Sequence, residues 1–414
     1  MSFFPVVDGE LHVEGVPLAS VAEHFGTPCF VYSRAAIEGG YREFDAAFAG
    51  QSHLVCYAVK ANSNLAVLNL LARSGSGFDI VSGGELERVI AAGGDPARTV
   101  FSGVGKTALE IEAALSAGIH CFNVESAAEL DLIEAVAERV GAIAPVALRV
   151  NPDVDPRTHP YISTGLKESK FGVAWIDALP LYRRAARLPH VSVLGIGCHI
   201  GSQVTDLSVY VEAAEKVFAL VDLIEADGIP LTHIDLGGGL GIRYRDEETI
   251  DPYQYALAVK RALGDRPQRL LFEPGRFLVG NAGVLLTRVL YLKPGAARDF
   301  AIVDAAMNDL IRPALYSAWH EVEAVRPRAD APRRWQIVGP VCESADFLAH
   351  DRELALAAGD LLAVRSAGAY AFAMSSNYNS RPRACEVVVD GKSMHCARSR
   401  ETNADLFTRE SLLP

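Results

Sequence analysis

Between about residues 53 and 275, short apolar runs alternate with longer amphipathic stretches. The runs are Leu54–Val59, Phe78–Val81, Thr99–Ser102, His120–Val124, Pro145–Val150, Val193–Cys198, His233–Leu236 and Arg269–Glu273. Short runs of this kind read as buried strands. Between most of them lies a plausible helix, such as Ser126–Val140 or Asp206–Asp227. Eight strand–helix units of this combined length predict a (β/α)8 TIM-like barrel, with a doubly wound sheet as the structural alternative. After residue 280 the pattern changes. Val284–Leu292, Phe300–Val303, Trp335–Val338, Leu361–Arg365 and Glu386–Val389 are β-rich and separated by Gly, Pro and charged turns, which predicts an all-β domain. Leu11–Val13 and Cys29–Tyr32 are two more strand candidates, expected to join it. The expected division is a barrel over 41–279 and a β-sandwich or barrel-like domain built from 1–40 and 280–414.

Composition narrows the setting. Half of the 414 residues are hydrophobic, enough for two cores. The net charge is −12 with basic residues dispersed, which argues against nucleic acid or an anionic membrane surface as partner but leaves room for a small anionic ligand. No apolar run is long enough to span a bilayer, and Met1-Ser2-Phe3-Phe4-Pro5 lacks the basic region and apolar core of a signal peptide. The seven cysteines are scattered without CxxC spacing, so reduced thiols in a cytoplasmic protein are expected, with neither a disulfide framework nor a metal site.

The candidate chemistry gathers at the C-terminal ends of the strands, where barrel enzymes place their sites. Lys60 closes the first run, and an amine there can form a Schiff base with a carbonyl if its surroundings lower its pKa. On its own a lysine closing a strand is ordinarily a charge reaching water. His199 follows strand six, Gly237-Gly238-Gly239-Leu240-Gly241 follows strand seven, and Glu273-Pro274-Gly275-Arg276 ends strand eight. The glycine run lets backbone N–H groups approach an anion, and its place after strand seven is the usual phosphate site of such barrels. A tight turn explains it equally well. It does not fit GxGxxG, because the third glycine would be Ile242; Gly105-Lys106-Thr107 mimics the end of a P-loop, but the required first glycine is Val100. A lysine, a phosphate cradle and a carboxylate on one rim suggest pyridoxal 5'-phosphate, with Lys60 carrying the aldehyde, Glu273 keeping the pyridine nitrogen protonated and His199 against the ring face. Four later segments stand out: Asn308–Tyr316, Gly339–Asp346, Gly368-Ala369-Tyr370 and Tyr378–Pro382. On residue type alone, Arg312 reads as a surface charge and Cys342 as a small core residue.

Over nearly its whole length the chain resembles the diaminopimelate decarboxylase family, pyridoxal-phosphate enzymes that join an alanine-racemase-like barrel to a β domain. The resemblance rests on Tyr57-Ala58-Val59-Lys60-Ala61-Asn62, Lys170-Phe171-Gly172, His199-Ile200-Gly201-Ser202, the GGGLG loop, Glu273–Arg276, Cys342-Glu343-Ser344 and Tyr378–Arg383. It implies that Lys60 is the imine lysine, that His199 stacks on the ring, and that Gly239, Gly275 and Arg276 hold phosphate with Glu273 on the pyridine nitrogen. Ser202 and Tyr370 would also contact cofactor. Arg276, Arg312, Tyr316 and Tyr370 would bind substrate, the first three at its distal carboxylate, and Glu343 would take its distal ammonium. Cys342 would donate the proton, supplied with Glu343 by the partner subunit of a head-to-tail homodimer. The implied reaction converts meso-2,6-diaminopimelate to L-lysine and CO2. Arginines suit a distal carboxylate because a planar guanidinium binds it bidentately, whereas ornithine or arginine would want an acidic residue to meet a distal cation. Two other readings are a sister decarboxylase acting on carboxynorspermidine or a carrier-bound amino acid, and a regulator that has lost catalysis. Retention of Lys60, Glu273 and Cys342 together argues against the regulator.

Overall fold

The structure, a computed structural model, describes residues 3–155 and 170–414. All eight apolar runs form strands: β1 (His53–Ala58), β2 (Gly77–Ile80), β3 (Thr99–Phe101), β4 (Cys121–Val124), β5 (Ala144–Asn151), β6 (Val191–Gly197), β7 (His233–Asp235) and β8 (Arg269–Phe272). They run parallel in the order β5-β6-β7-β8-β1-β2-β3-β4, and β4 pairs with β5 to close the sheet. Closure removes the doubly wound alternative, which has open edges. Leu54, Cys56, Val100, Cys121, Ala147 and Leu271 form a packed cluster of buried barrel-strand residues.

The helices start where the chain offers caps. Ser126 Oγ accepts the Glu129 N–H to begin Ala127–Val140, and Gly141 ends that helix in the left-handed region. Leu130, Ile133 and Ala137 are its buried stripe, each large side chain contributing about 1.5–3 kcal/mol on leaving water. Asp206 caps the helix Leu207–Ala226, and a reciprocal Thr107–Glu110 capping box opens Ala108–Ala117.

The barrel unit comprises Gly40–Ile242 and Glu248–Leu278; the second unit comprises Met1–Gly39, Arg243–Glu247 and Val279–Pro414. Residues 243–247, read as barrel from the pattern, therefore belong to the second unit. That unit is built on a mixed sheet whose path runs Phe347–Leu354, Arg333–Val338, Asp299–Val303, Gly283–Lys293, Cys29–Ser33, Cys385–Asp390, Ser393–Arg398. The N-terminal strand Cys29–Ser33 lies between two C-terminal ones, antiparallel to Gly283–Lys293 and parallel to Cys385–Asp390. Leu11 and Val13 pack in the same core as Val284, Leu286 and Val387, and the Leu11 N–H donates to the Val325 carbonyl at 2.8 Å.

Candidate active site

β1 ends in a single 3-10 turn over Val59–Ala61, and three bonds fix that turn. The Ala58 N–H donates to the Pro274 carbonyl, joining the ends of β1 and β8. The buried Tyr57 hydroxyl donates to the Asn62 carbonyl at 2.9 Å, and Asn62 Oδ1 accepts the Asn64 N–H. Lys60 is thereby aimed at β2, where its Nζ lies 2.5 Å from Asp79 Oδ2. Asp79 is fully buried, and its Oδ1 has no hydrogen-bond partner.

Two more carboxylates close the same end of the barrel, Asp235 at the end of β7 and Glu273 just beyond β8, both buried. Asn123 Nδ2 reaches Asp235 Oδ2 at 3.3 Å and Glu273 Oε1 at 3.2 Å, and the Ser102 hydroxyl donates to Glu273 Oε1. Burial, then the charges of Asp235 and Asp79, push the Glu273 carboxyl well above the ordinary range, and a cation placed against it would pull it back toward the ionised form. Burial also pushes Asp235 up. Three buried carboxylates beside one ammonium, with one carboxylate oxygen unpartnered, form a site suited to a further cation. A protonated pyridine nitrogen fits that requirement.

The glycine loop is a tight turn packed against its neighbours. Added Cβ atoms would lie 2.4 Å from the Cys198 carbonyl at Gly237, 2.1 Å from the Glu273 carbonyl at Gly238 and 2.1 Å from the Gly201 carbonyl at Gly239. Gly237 and Gly239 also have φ of +68° and +100°, which favour glycine. The loop is thus wedged between the ends of β6 and β8, and the Gly237 N–H donates to Asp235 Oδ1 at 2.8 Å. The Gly238 N–H donates to His199 Nδ1 at 3.2 Å. Burial first, then Arg149 and Lys60, hold the His199 pKa well below its usual value, so the ring is a neutral imidazole. Arg276 is buried and its Nη2 donates to Ser202 Oγ at 2.9 Å. Lys60, His199, Ser202, Gly239, Glu273, Gly275 and Arg276 therefore share the C-terminal rim of the barrel. Asp79, Asp235, Asn123 and Ser102 join them and were missed in the sequence. Each is a polar residue at or beside the end of an apolar run, which is the signal that would have found them.

The remaining candidates lie in the second unit. Arg312, only 6 % exposed, is no surface charge; it opens the short helix Arg312–Tyr316, in which Tyr316 is half-buried. Cys342 is exposed rather than in a core, and its N–H donates to Asn379 Oδ1 at 2.8 Å. Asn379 adopts φ +56°, a region asparagine tolerates, in the Tyr378–Arg383 segment. Asp346 supports the Cys342 loop by accepting the Val341 and Met307 N–H groups, and Glu343 is exposed beside Cys342. Tyr370 is half-buried at φ +54°. At the other end of the barrel, His120, Cys121 and His233 bring possible ligand atoms within 4.8 Å of one another. Sequence spacing did not show this grouping; the Cys121 thiol there donates to Asn123 Oδ1 at 3.8 Å.

Glu85, in the helix after β2, adds a pH-sensitive group. Burial pushes its carboxyl up to about 7, against the pull of the Val81 N–H and Lys60. Its protonated form is favoured in the folded chain, so the stability it contributes is complete below the ordinary value of 4.5 and is lost as pH rises through about 7. Glu85→Gln should remove that slope. In denaturant unfolding across this window, the variant is expected to gain on the wild type as pH rises; parallel curves would exclude the assignment.

A closed parallel barrel with a lysine, a buried carboxylate cluster and a glycine loop on its C-terminal rim defines a pyridoxal-dependent enzyme. The pyridoxal-binding domain of the pyridoxal-dependent decarboxylases matches residues 34–280. The chain is 62 % identical over 414 residues to the diaminopimelate decarboxylase of Pseudomonas aeruginosa, covering 100 % of both. It resembles the crystal structure of the Helicobacter pylori diaminopimelate decarboxylase complexed with L-lysine at a TM-score of 0.91 and 43 % identity, over 94 % of this chain and 98 % of that one. The M. jannaschii enzyme, also with L-lysine, matches at a TM-score of 0.95 and 39 % identity over 99 % and 98 %. The chain belongs to the diaminopimelate decarboxylase family.

Proposed function

We propose that this chain is a pyridoxal-phosphate-dependent carboxy-lyase that converts meso-2,6-diaminopimelate to L-lysine and CO2, the last step of lysine biosynthesis. The observation that carries the reading is the pairing of Lys60 with the buried Asp79 at the rim of the barrel that also carries the buried carboxyls of Asp235 and Glu273. When bound, the cofactor supplies a sink for the electron pair left behind as CO2 departs. The chain's residues do the rest. Lys60 holds the cofactor covalently. Gly239, Gly275 and Arg276, with Ser202, take its phosphate, and Glu273 offers negative charge to the ring nitrogen. The neutral His199 ring covers one face without adding a competing cation. Arg276, Arg312 and Tyr316 hold the distal carboxylate, Glu343 holds the distal ammonium, and Tyr370 contacts cofactor and substrate. The Cys342 thiol then delivers a proton to the carbon that has lost CO2.

The direct test is turnover by the cofactor-loaded protein. Lysine and CO2 should appear in equal amounts from meso-diaminopimelate, with kcat/KM at least about a hundredfold above that for carboxynorspermidine. Preference for carboxynorspermidine would establish the sister reading instead. The cytoplasm is the proposed location; among the described residues no helix is long and apolar enough to cross a membrane.

Cys342 and Glu343 are proposed to serve the site of the partner subunit in a two-fold homodimer. Mixing two inactive variants, Lys60→Ala and Cys342→Ala, tests this. In a shared-site heterodimer one site inherits both lesions and the other neither, so random reassortment should return roughly a quarter of wild-type activity. Absence of recovery after demonstrated subunit exchange would place Lys60 and Cys342 in one chain's site.

A further inference from the structure

Arg312 is held by groups that no role above requires. Its Nη1 lies 2.8 Å from Nε2 of His320, which is fully buried. The other ring nitrogen, Nδ1, lies 2.8 Å from the Arg365 carbonyl oxygen. A guanidinium can only donate and a carbonyl can only accept. His320 is therefore a neutral ring in one tautomer, with its hydrogen on Nδ1 and a bare acceptor turned to Arg312. The residue is itself anchored. Its carbonyl accepts Arg352 Nη2 at 2.8 Å, and the Arg352 guanidinium lies 3.3 Å over the ring of the preceding Trp319. The third element is Tyr244, from the Arg243–Glu247 stretch. Its ring centre lies 4.7 Å from the Arg312 guanidinium carbon and 5.3 Å from the His320 ring, which it meets edge-on at 79°.

We infer that His320 and Tyr244 are positioning residues that set the guanidinium plane of Arg312 for the substrate's distal carboxylate. The inference rests on Arg312 being the group that recognises that carboxylate. Two-pronged binding of a carboxylate requires its plane and the guanidinium plane to agree, and a long side chain must give up its rotamer freedom to meet that condition. Here Tyr244 sets the face and His320 sets the rotation within the plane, before substrate arrives. The choice of imidazole matters as much as its place. A carboxylate at the same corner would orient Arg312 equally well but would compete with the substrate's carboxylate for its charge. A neutral nitrogen acceptor orients the guanidinium without adding a negative charge that competes for it.

The test uses cofactor-loaded enzyme and two probes, L-lysine, which keeps the distal carboxylate, and cadaverine, which lacks it. Dissociation constants come from titration calorimetry, and KM and kcat from turnover of meso-diaminopimelate. Arg312→Ala should weaken L-lysine and spare cadaverine; if it does not, the reading of Arg312 fails independently of its holder. With that reading upheld, His320→Leu should raise the L-lysine dissociation constant and the KM roughly tenfold, the size of a lost hydrogen bond to a charged group, with much smaller changes in kcat and in cadaverine affinity. His320→Gln restores an acceptor and should recover most of the loss. The double variant Arg312→Ala/His320→Leu should bind L-lysine no worse than Arg312→Ala alone, because both changes act through one group. If His320→Leu does not fold, His320→Gln and Tyr244→Leu carry the test, the former near wild type and the latter selectively weak for L-lysine. Equal losses for both probes, additive losses in the double variant, or unchanged L-lysine binding in His320→Leu or Tyr244→Leu would overturn the inference.

Discussion

Lys60→Ala is expected to remove almost all turnover, on the order of 10⁴-fold or more, as losses of a covalent catalytic group do. The reason is geometric. The bonds through Ala58, Tyr57 and Asn62 fix the turn that carries Lys60, and its amine is directed onto a buried carboxylate at the rim. Among the residues described, no other lysine shares that setting; Lys106, the buried one nearest in kind, is spent on Glu129 at 2.6 Å and two backbone carbonyls. Borohydride reduction of cofactor-loaded wild type should add the cofactor's mass to the peptide containing Lys60, and the variant should show no addition. Label trapped at a different lysine would refute the assignment outright.

Glu273→Gln should have the next largest effect. The substitution keeps the shape and the Asn123 and Ser102 contacts but removes the negative charge that a protonated ring nitrogen needs. Breaking a buried, hydrogen-bonded charge pair costs about 2–5 kcal/mol, which corresponds to roughly 30-fold to several-thousand-fold. The loss should fall on kcat with little change in KM, because the charge acts on the electron sink and not on substrate recognition. Wild-type kcat in this variant would remove Glu273 from that role and direct attention to Asp235 or Asp79.

The barrel was legible because its strands are short, apolar and evenly spaced, and a closed parallel sheet buries both faces of each. The smaller part of the second unit's sheet was not. Phe347–Leu354 reads Phe-Leu-Ala-His-Asp-Arg-Glu-Leu, with Asp351 and Glu353 exposed and a charged Arg352 buried between them, and Ser393–Arg398 has no buried residue, so neither shows an apolar run. In the site, residues just beyond the strands were found because a charged side chain or a glycine run interrupts the pattern there. Asp79 and Asp235 were overlooked because a single polar residue in an apolar run looks like noise until the neighbouring strand supplies its partner. The Arg312 holder was invisible for a different reason. Tyr244, Arg312 and His320 lie in separate segments, and only the folded chain brings the first to the other two.

The membership of Arg243–Glu247 in the second unit has a bearing on modular evolution. The chain passes between the units four times, at 39/40, 242/243, 247/248 and 278/279. A chimera that exchanged only the terminal segments of two relatives would combine one parent's Arg312 and His320 with the other parent's Tyr244. On the proposed roles of Arg312 and Tyr244, substrate preference would not travel with the β-rich segments alone. Recombination at the two outer junctions alone leaves residues 243–247 with the barrel's parent, and where the parents differ there a five-residue graft between β7 and β8 would restore the proposed holder.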